Sequence, residues 1–259
     1  MKYLHLRFRQ LAATFLGISG CTFAPMHAAR AADEPPPVMV EVQAHFVRTT
    51  HNGITAALTA AGGAQAPALL DAQQLEKALA SLRSDGAQFI SSPRGITTSG
   101  QRTAVEAIRE MRYPTEWNLS PKTPGAAVPV AFETRNVGVT LEFESVANAG
   151  SIDITVDARV VSFLGFLDYS QQPPLKPGNP AALDQLPQAP LKEGGMWQPI
   201  FVQEKNTTRL KLKSGASALI SLGGLPPAIS AFHQQQGIPA HAEQMHTYVF
   251  IGCRTVGTE

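Results

Sequence analysis

Three groups of side chains in this 259-residue sequence are of types that carry chemistry. Glu142 and Glu144 stand two apart in an alternating run. On a strand they share one face about 7 Å apart, twice the residue rise, which invites comparison with the paired carboxylates of glycoside hydrolysis. The next run repeats the pattern with Asp153 and Asp157, so these acids read as the wet face of a half-buried hairpin. His241 and His246, in His-Ala-Glu-Gln-Met-His, are five apart with the acid misplaced for a zinc-binding helix. They read as loop, and no metal is expected. Cys253 ends the apolar run Tyr248-Val249-Phe250-Ile251-Gly252-Cys253 and reads as a small buried hydrophobe. The sequence has no G-x-S-x-G elbow, P-loop, G-x-G-x-x-G, C-x-x-C or H-E-x-x-H. No catalysis and no cofactor are expected.

The other cysteine, Cys21, follows Lys2, Arg7 and Arg9 and the uncharged, mostly apolar stretch 11–20. That order is an export signal, and its apolar part is too short to span a bilayer as a helix, which takes about 20 residues. Two cleavage readings stand. Ile18-Ser19-Gly20-Cys21 looks like a lipobox, with residues 1–20 as leader and Cys21 lipidated; Ala29-Arg30-Ala31 fits an A-x-A site that would remove 1–31. Cleavage before Cys21 leaves 18 basic and 20 acidic residues. Neither that balance nor the formal +1 of the full sequence gives an electrostatic reason to expect nucleic acid. The charged fraction of 16% lies below the roughly 25% usual for soluble domains, which points to surface covered by partners or lipid.

Elements that would position these groups follow from periodicity. Residues 21–37 end in three prolines and form a spacer. Residues 38–47 alternate, with Val40, Val42, Ala44 and Phe46 on one face and Glu41, Gln43 and His45 on the other, which predicts a strand with one dry face. Residues 51–68 show no firm period and read as loop. Asp71, with Gln74 three residues on, predicts a capped helix through 85, ending at Gly86. Ser99-Gly100 marks a turn in a hairpin-like segment, and 103–113 continues it as an extended segment whose residue types equally suit a helix; the family resemblance given below favours strand. Four prolines make 114–130 a long loop or edge excursion. Residues 137–144 and 152–160 form a meander hairpin about Gly150-Ser151, apolar on one face and charged on the other. Such charge files across neighbouring strands suit a water-filled lumen. The run 160–169 is apolar on both faces, 171–195 holds six prolines and reads as an insertion, and strands at 199–202, 207–213, 216–222 and 247–256 complete the set around a break at 223–246.

These residues, from about 38 to 256, resemble the C-terminal domain of the secretins, the outer-membrane ring proteins of type II and type III secretion and type IV pilus assembly. Ile90-Ser91-Ser92-Pro93-Arg94-Gly95-Ile96-Thr97-Thr98-Ser99-Gly100-Gln101-Arg102 is similar to the family's Ser-Pro-Arg strand, turn and strand. Phe132-Glu133-Thr134-Arg135-Asn136-Val137-Gly138-Val139-Thr140-Leu141 resembles its V-G-x-x-L segment with the F-E-x-R lead-in of short secretin-like proteins. Residues 215–224, ending in Gly223-Gly224, and 248–254 resemble its closing strands. Departures are Ser214-Gly215-Ala216-Ser217-Ala218 for an acidic-Gly-Gln-Thr turn, Gly252-Cys253-Arg254 for Thr-Pro-Arg, atypical residues at 225–246, and a spacer running straight into this region without the usual N-domains.

The resemblance implies a mainly β fold with one or two helices, whose strands form a barrel shared among subunits. Pro93, Gly100, Gly138, Gly223 and Gly224 become motif positions, the glycines as bends or close approaches. It further implies a homo-oligomeric ring in the outer membrane of a Gram-negative bacterium, working with secretion or pilus machinery and with no nucleic-acid partner. The alternative is a periplasm-facing lipoprotein that keeps the fold, forms no pore and acts as an accessory.

Overall fold

A computed structural model describes residues 37–62, 69–168, 195–224 and 245–257. Cys21, both cleavage sites, nearly all of the spacer and of the 171–195 insertion, and His241 lie outside the described residues. The described chain is mostly strand with two helices, in the order β1 (Met39–Thr50), α1 (His51–Ala60), β2 (Leu69–Leu70), α2 (Ala72–Ser84), β3 (Gln88–Ser91), β4 (Arg94–Thr98), β5 (Arg102–Leu119), β6 (Ala127–Asn148), β7 (Ser151–Asp168), β8 (Trp197–Leu212), β9 (Ser217–Gly224) and β10 (Met245–Val256).

Alternation builds two sheets and stacks them. The first runs β2-β9-β10-β1-β3, with β4 also on β1; the second is the antiparallel meander β5-β6-β7-β8. Val40, Val42, Ala44 and Phe46 of β1 and Val249, Ile251 and Cys253 of β10 face Val139, Leu141 and Phe143 of β6 and Ile152, Ile154, Val156, Ala158 and Val160 of β7 in one cluster. The other face of the first sheet is dry where the helices cover it. Val47, Leu219, Tyr248 and Phe250 pack against Ile54, Ala57, Leu58, Ala78, Leu79 and Leu82 of the helices. The alternation in 38–47 gives the predicted dry face, and on its other face Gln43 is exposed and His45 half-buried while Glu41 is buried. Cys253 is a free, buried thiol, pushed up to about 11 by burial.

The capping box at Asp71 forms as its spacing predicts: Asp71 Oδ1 accepts from the Gln74 amide at 2.8 Å, and Gln74 Oε1 accepts from the Asp71 amide at 3.0 Å. The strand at 103–113 and the turn at Gly150 are also present. Four readings are corrected. Residues 51–60 are helix, not loop: Thr50 Oγ1 caps the Gly53 amide at 3.0 Å, and burial of Ile54, Ala57 and Leu58 overrides the weak propensity of an Ala/Thr/Gly stretch. For the proline-rich 114–130 the long-loop alternative is corrected and the edge alternative holds, because the segment is mostly strand. Pro114 lies on an edge strand at register shifts that absorb its missing N–H, and Pro129 pairs with Trp117, so only about 120–126 turns. Residues 199–202 and 207–213 are one strand, β8. The Ser99-Gly100 turn is not a hairpin, because β4 pairs with β1 while β5 pairs with β6; the turn carries the chain from one sheet to the other.

Phe143 is buried between the two sheets against Gly95 of β4, where an added Cβ would lie 3.1 Å from its ring. Phe143→Ala is expected to cost about 3–5 kcal/mol, against less than about 0.5 kcal/mol for the exposed neighbour Glu144→Ala, in urea unfolding followed by tryptophan fluorescence.

Candidate functional site

The meander β5-β6-β7-β8 forms a wall. Its β6 strand has 22 residues, a length on the order of 70 Å at 3.3 Å per residue. Only the part near the first sheet is covered by the core. There β6 pairs with β7 from Asn148↔Ser151 to Gly138↔Val161 and then stops, while β5-β6 pairing runs on to Leu119↔Ala127 and β7-β8 pairing to Asp168↔Trp197. The wall thus divides into two hairpins at Gly138. Gly138 has φ +134°, and a Cβ there would collide with the carbonyl oxygen of Ala107 on β5, so only glycine fits where the strands part.

Beyond the division the side chains change character. Phe201 lies against Tyr113 at 5.6 Å and Phe163 at 5.7 Å between ring centroids, with the Arg135 guanidinium 4.8 Å over it. Arg112 covers Phe132 at 4.4 Å, and Val128, Val130 and Phe132 remain exposed. The two-faced apolar reading of 160–169 meets this cluster, because Phe163 and Phe166 pack together at 5.1 Å.

Nearer the core, the wall's uncovered face is a lattice of opposite charges. Arg102 bridges Glu142 at 2.6 Å, and Asp157 is held by Lys205 at 2.8 Å and Arg159 at 3.7 Å, with Thr207 Oγ1 donating to it at 3.2 Å. Burial pushes the Asp157 carboxyl up, but the hydrogen bonds and charges of Lys205, Thr207 and Arg159 outweigh it and hold the group below its ordinary value. Glu142 faces an arginine rather than Glu144, and a carboxylate such as Asp157 that is stabilised ionised is a poor general acid. Among the described residues no group of three or more His, Cys, Asp or Glu is placed to hold a metal ion, and no helix is long and apolar enough to cross a membrane.

Two ionic clasps fix the wall's backing. Arg48 of β1 reaches Glu204 and Ser162 in the wall and Thr247 on β10. Its side chain is 11% exposed and that of Glu204 3%, so this pair is desolvated across the gap between sheets. Glu41 Oε2 accepts from Arg94 at 2.7 Å and Arg254 at 2.9 Å, joining β4, β1 and β10. Burial is the largest single influence on Glu41 and raises it; the two arginines together overcome that and leave it lowered. The sequence offered no sign of either clasp, since their members lie 53 to 213 residues apart.

The five motif positions do not converge on one spot. Pro93 is buried between β3 and β4, where its carbonyl accepts from Ala44 N at 2.9 Å. Gly100 turns at φ +85°, its amide donating to Ser145 O at 2.8 Å. Gly138 sits at the division of the wall. Gly223 and Gly224 end β9 opposite Thr247 and His246, with a register shift next to them and φ +116° at Gly223. Gly95, which sequence reasoning did not single out, is also tightly placed, though less so than Gly138: a Cβ there would lie 2.9 Å from a side-chain methyl of Val105.

The finished wall also has two bare sides. Among the described residues, β5 and β8 each pair on one side only.

The fold is similar to several solved secretins. The type II secretion system secretin GspD of E. coli K12 is 11% identical over 85% of this chain and 50% of that one, with a TM-score of 0.37. The Salmonella SPI-1 type III secretion injectisome secretin InvG is 12% identical over 86% and 66%, with a TM-score of 0.36. The V. cholerae type IV competence pilus secretin PilQ is 13% identical over 85% and 61%, with a TM-score of 0.35. The chain spans about half the length of the first of these. No family model matches the chain, and no curated protein matches it.

Three outcomes follow from the site. Arg48→Met strands a buried carboxylate and is expected to destabilise the fold by about 3–5 kcal/mol, whereas Arg48→Met with Glu204→Leu recovers most of that loss, measured by thermal or urea unfolding. Glu41 has a folded-state pKa below its unfolded value, so its contribution is complete above 4.5 and is lost as pH falls toward the lower folded value. The acid limb of stability against pH is therefore expected to be steeper in the natural protein than in Glu41→Gln, where that dependence disappears. Gly138→Ala is expected to cost at least about 1–3 kcal/mol in the same assay, where Gly257→Ala, with open space around it, costs little.

Proposed function

We propose that this chain is a secretin-like component that assembles into a homo-oligomeric ring at the outer membrane of a Gram-negative bacterium and supports protein secretion or pilus passage, without catalysis or a cofactor. One observation carries the reading: an 18-residue strand and a 16-residue strand bound a four-stranded wall that, among the described residues, is unpaired on both sides. Long open edges leave backbone N–H and C=O groups without partners and invite further pairing, and closure of the wall with other copies removes them. The number of strands in one copy is too small to close a barrel around a lumen. The change along the wall supports the same reading, because a charged lattice near the core suits a water-filled passage while exposed Val128, Val130 and Phe132 and the aromatic cluster suit the neighbourhood of lipid. In this account the leader exports the chain and Cys21 is lipidated.

Electron microscopy of detergent-extracted mature protein, beside heated and unheated denaturing gels, tests the proposal. The expected result is a large, heat-sensitive ring with a central channel that conducts in planar bilayers. A monomer released by mild washing would replace it with the accessory lipoprotein that borrows the fold, and rings that never conduct would remove the pore.

A further inference from the structure

We infer that neighbouring copies join through β5 of one and β8 of the next in a single, charge-matched register, displaced by four residues, which sets Glu106 against Arg209 and Glu110 against Lys205. The inference rests on the ring reading above and adds to it the contact that fixes its geometry.

Within one copy the ladders align Glu106, Thr140, Arg159 and Lys205 at one level and Arg102, Glu144, Thr155 and Arg209 at another. All of these side chains share one face of the wall, and the two margins of that face differ in charge. Along the β8 margin stand Lys205, Arg209 and Lys211 with no acid on that face, whereas the β5 margin is mixed, with Glu106 and Glu110 between Arg102 and Arg112. Glu110 has no ion-pair partner among the described residues, and Arg209 has only the Thr155 hydroxyl, 3.4 Å from its Nε. Unlike margins are what a head-to-tail ring needs, since each contact brings β8 of one copy to β5 of another. The meander makes that contact antiparallel, like every other pairing in the wall.

Registers can differ only by even steps, because an odd step turns every side chain to the other face. With no displacement, Glu106 meets Lys205, but Arg102 meets Arg209. A step of two sets Arg102 against Lys211. A step of four sets Glu106 against Arg209 and Glu110 against Lys205, and it moves Arg102 to the level of Lys213, beyond the last residue of β8, with Arg102 already held by Glu142. A step of six sets Arg112 against Lys205. Strand length selects the same register. Four residues of displacement place Thr103 opposite Leu212, so the start of β5 coincides with the end of β8 and the regular part of β5, up to the shift at Pro114, is paired throughout. Without displacement, Leu212 and its neighbours would overhang past the first residue of β5.

The geometry of closure agrees independently. A displacement of four residues for every four strands makes the shear equal to the strand number, and for that ratio the strands tilt by about 36°, inside the roughly 35–45° typical of closed barrels. A register with no displacement gives strands parallel to the axis, which twisted sheets do not form.

Cysteine pairs report the register directly. Glu106→Cys with Arg209→Cys sets thiols opposite one another across the proposed contact, where Cβ atoms lie about 4.5–5.5 Å apart, and Glu106→Cys with Lys205→Cys does so only in the undisplaced register. Both exposed substitutions are made in the full chain, rings are confirmed by microscopy, and oxidation with copper-phenanthroline is read as ladders on non-reducing gels. The expected result is several-fold more cross-linking for the first pair than for the second. The reverse order, or equal yields, in intact rings overturns the register and leaves the ring standing. Absence of rings in the unsubstituted protein overturns both. A charge test needs no cysteine: Glu106→Lys with Glu110→Lys is expected to abolish rings, and adding Lys205→Glu with Arg209→Glu to restore them, while unimpaired assembly of the first pair counts against the inference.

Discussion

A strand with a bare side leaves half of its backbone donors and acceptors facing away from its sheet, and β5 and β8 each do so along sixteen residues or more. Short edge strands, charged side chains, proline, bulges or a covering helix are the usual ways to make such an edge harmless. This wall has the charges, and its prolines and register shifts gather toward one end, which leaves a long regular stretch of each edge without a pairing partner among the described residues. Its helices lie on the first sheet, away from the wall, and the edge prolines Pro114 and Pro199 stand at the far part of the strands. The demand that these groups find partners is the constraint from which the account of the molecule follows.

The rest of the structure holds the wall at one angle and position. The dry seam of Val40, Val42, Ala44, Phe46, Leu141, Phe143, Ile154 and Val156 fixes the first sheet against it, and the desolvated Arg48 and Glu204 pair restricts how the sheets can slide, since a shift would strand both charges. The Ser99-Gly100 turn joins the layers covalently and is tied to β6 by the Gly100 amide and the Ser99 hydroxyl. Past Gly138 this backing ends, and the two hairpins meet mainly through aromatic rings and the guanidinium of Arg135, contacts weaker than a ladder of backbone hydrogen bonds. The molecule is thus firm where the core lies and looser where the wall divides.

The strands of the meander and the capped helix were legible because their signals are local: alternation every second residue in 137–160 and an Asp71-Gln74 pair before a leucine stripe. The helix at 51–60 was hidden because its stability comes from burial against Leu79 and Phe250 rather than from its own residues. The strands through 114–130 were hidden because proline is a poor strand former only in central positions, and an edge with register shifts accommodates it. Gly138 was visible as a motif residue, but its role at the parting of β6 from β7 required the pairing of three strands. The two ionic clasps join residues distant in sequence, and nothing in local spacing announces them.

Residue-resolved hydrogen exchange of the detergent-extracted protein tests the central claim most directly. The outward-facing amides of β5 and β8, those not bonded to β6 or β7, distinguish the two possibilities without any substitution. If the wall closes with other copies, those amides are protected to a degree similar to the interior amides of β6 and β7. If they exchange as fast as amides in an open edge while β6 and β7 stay protected, the wall is not shared and the account of the molecule as a ring subunit is wrong.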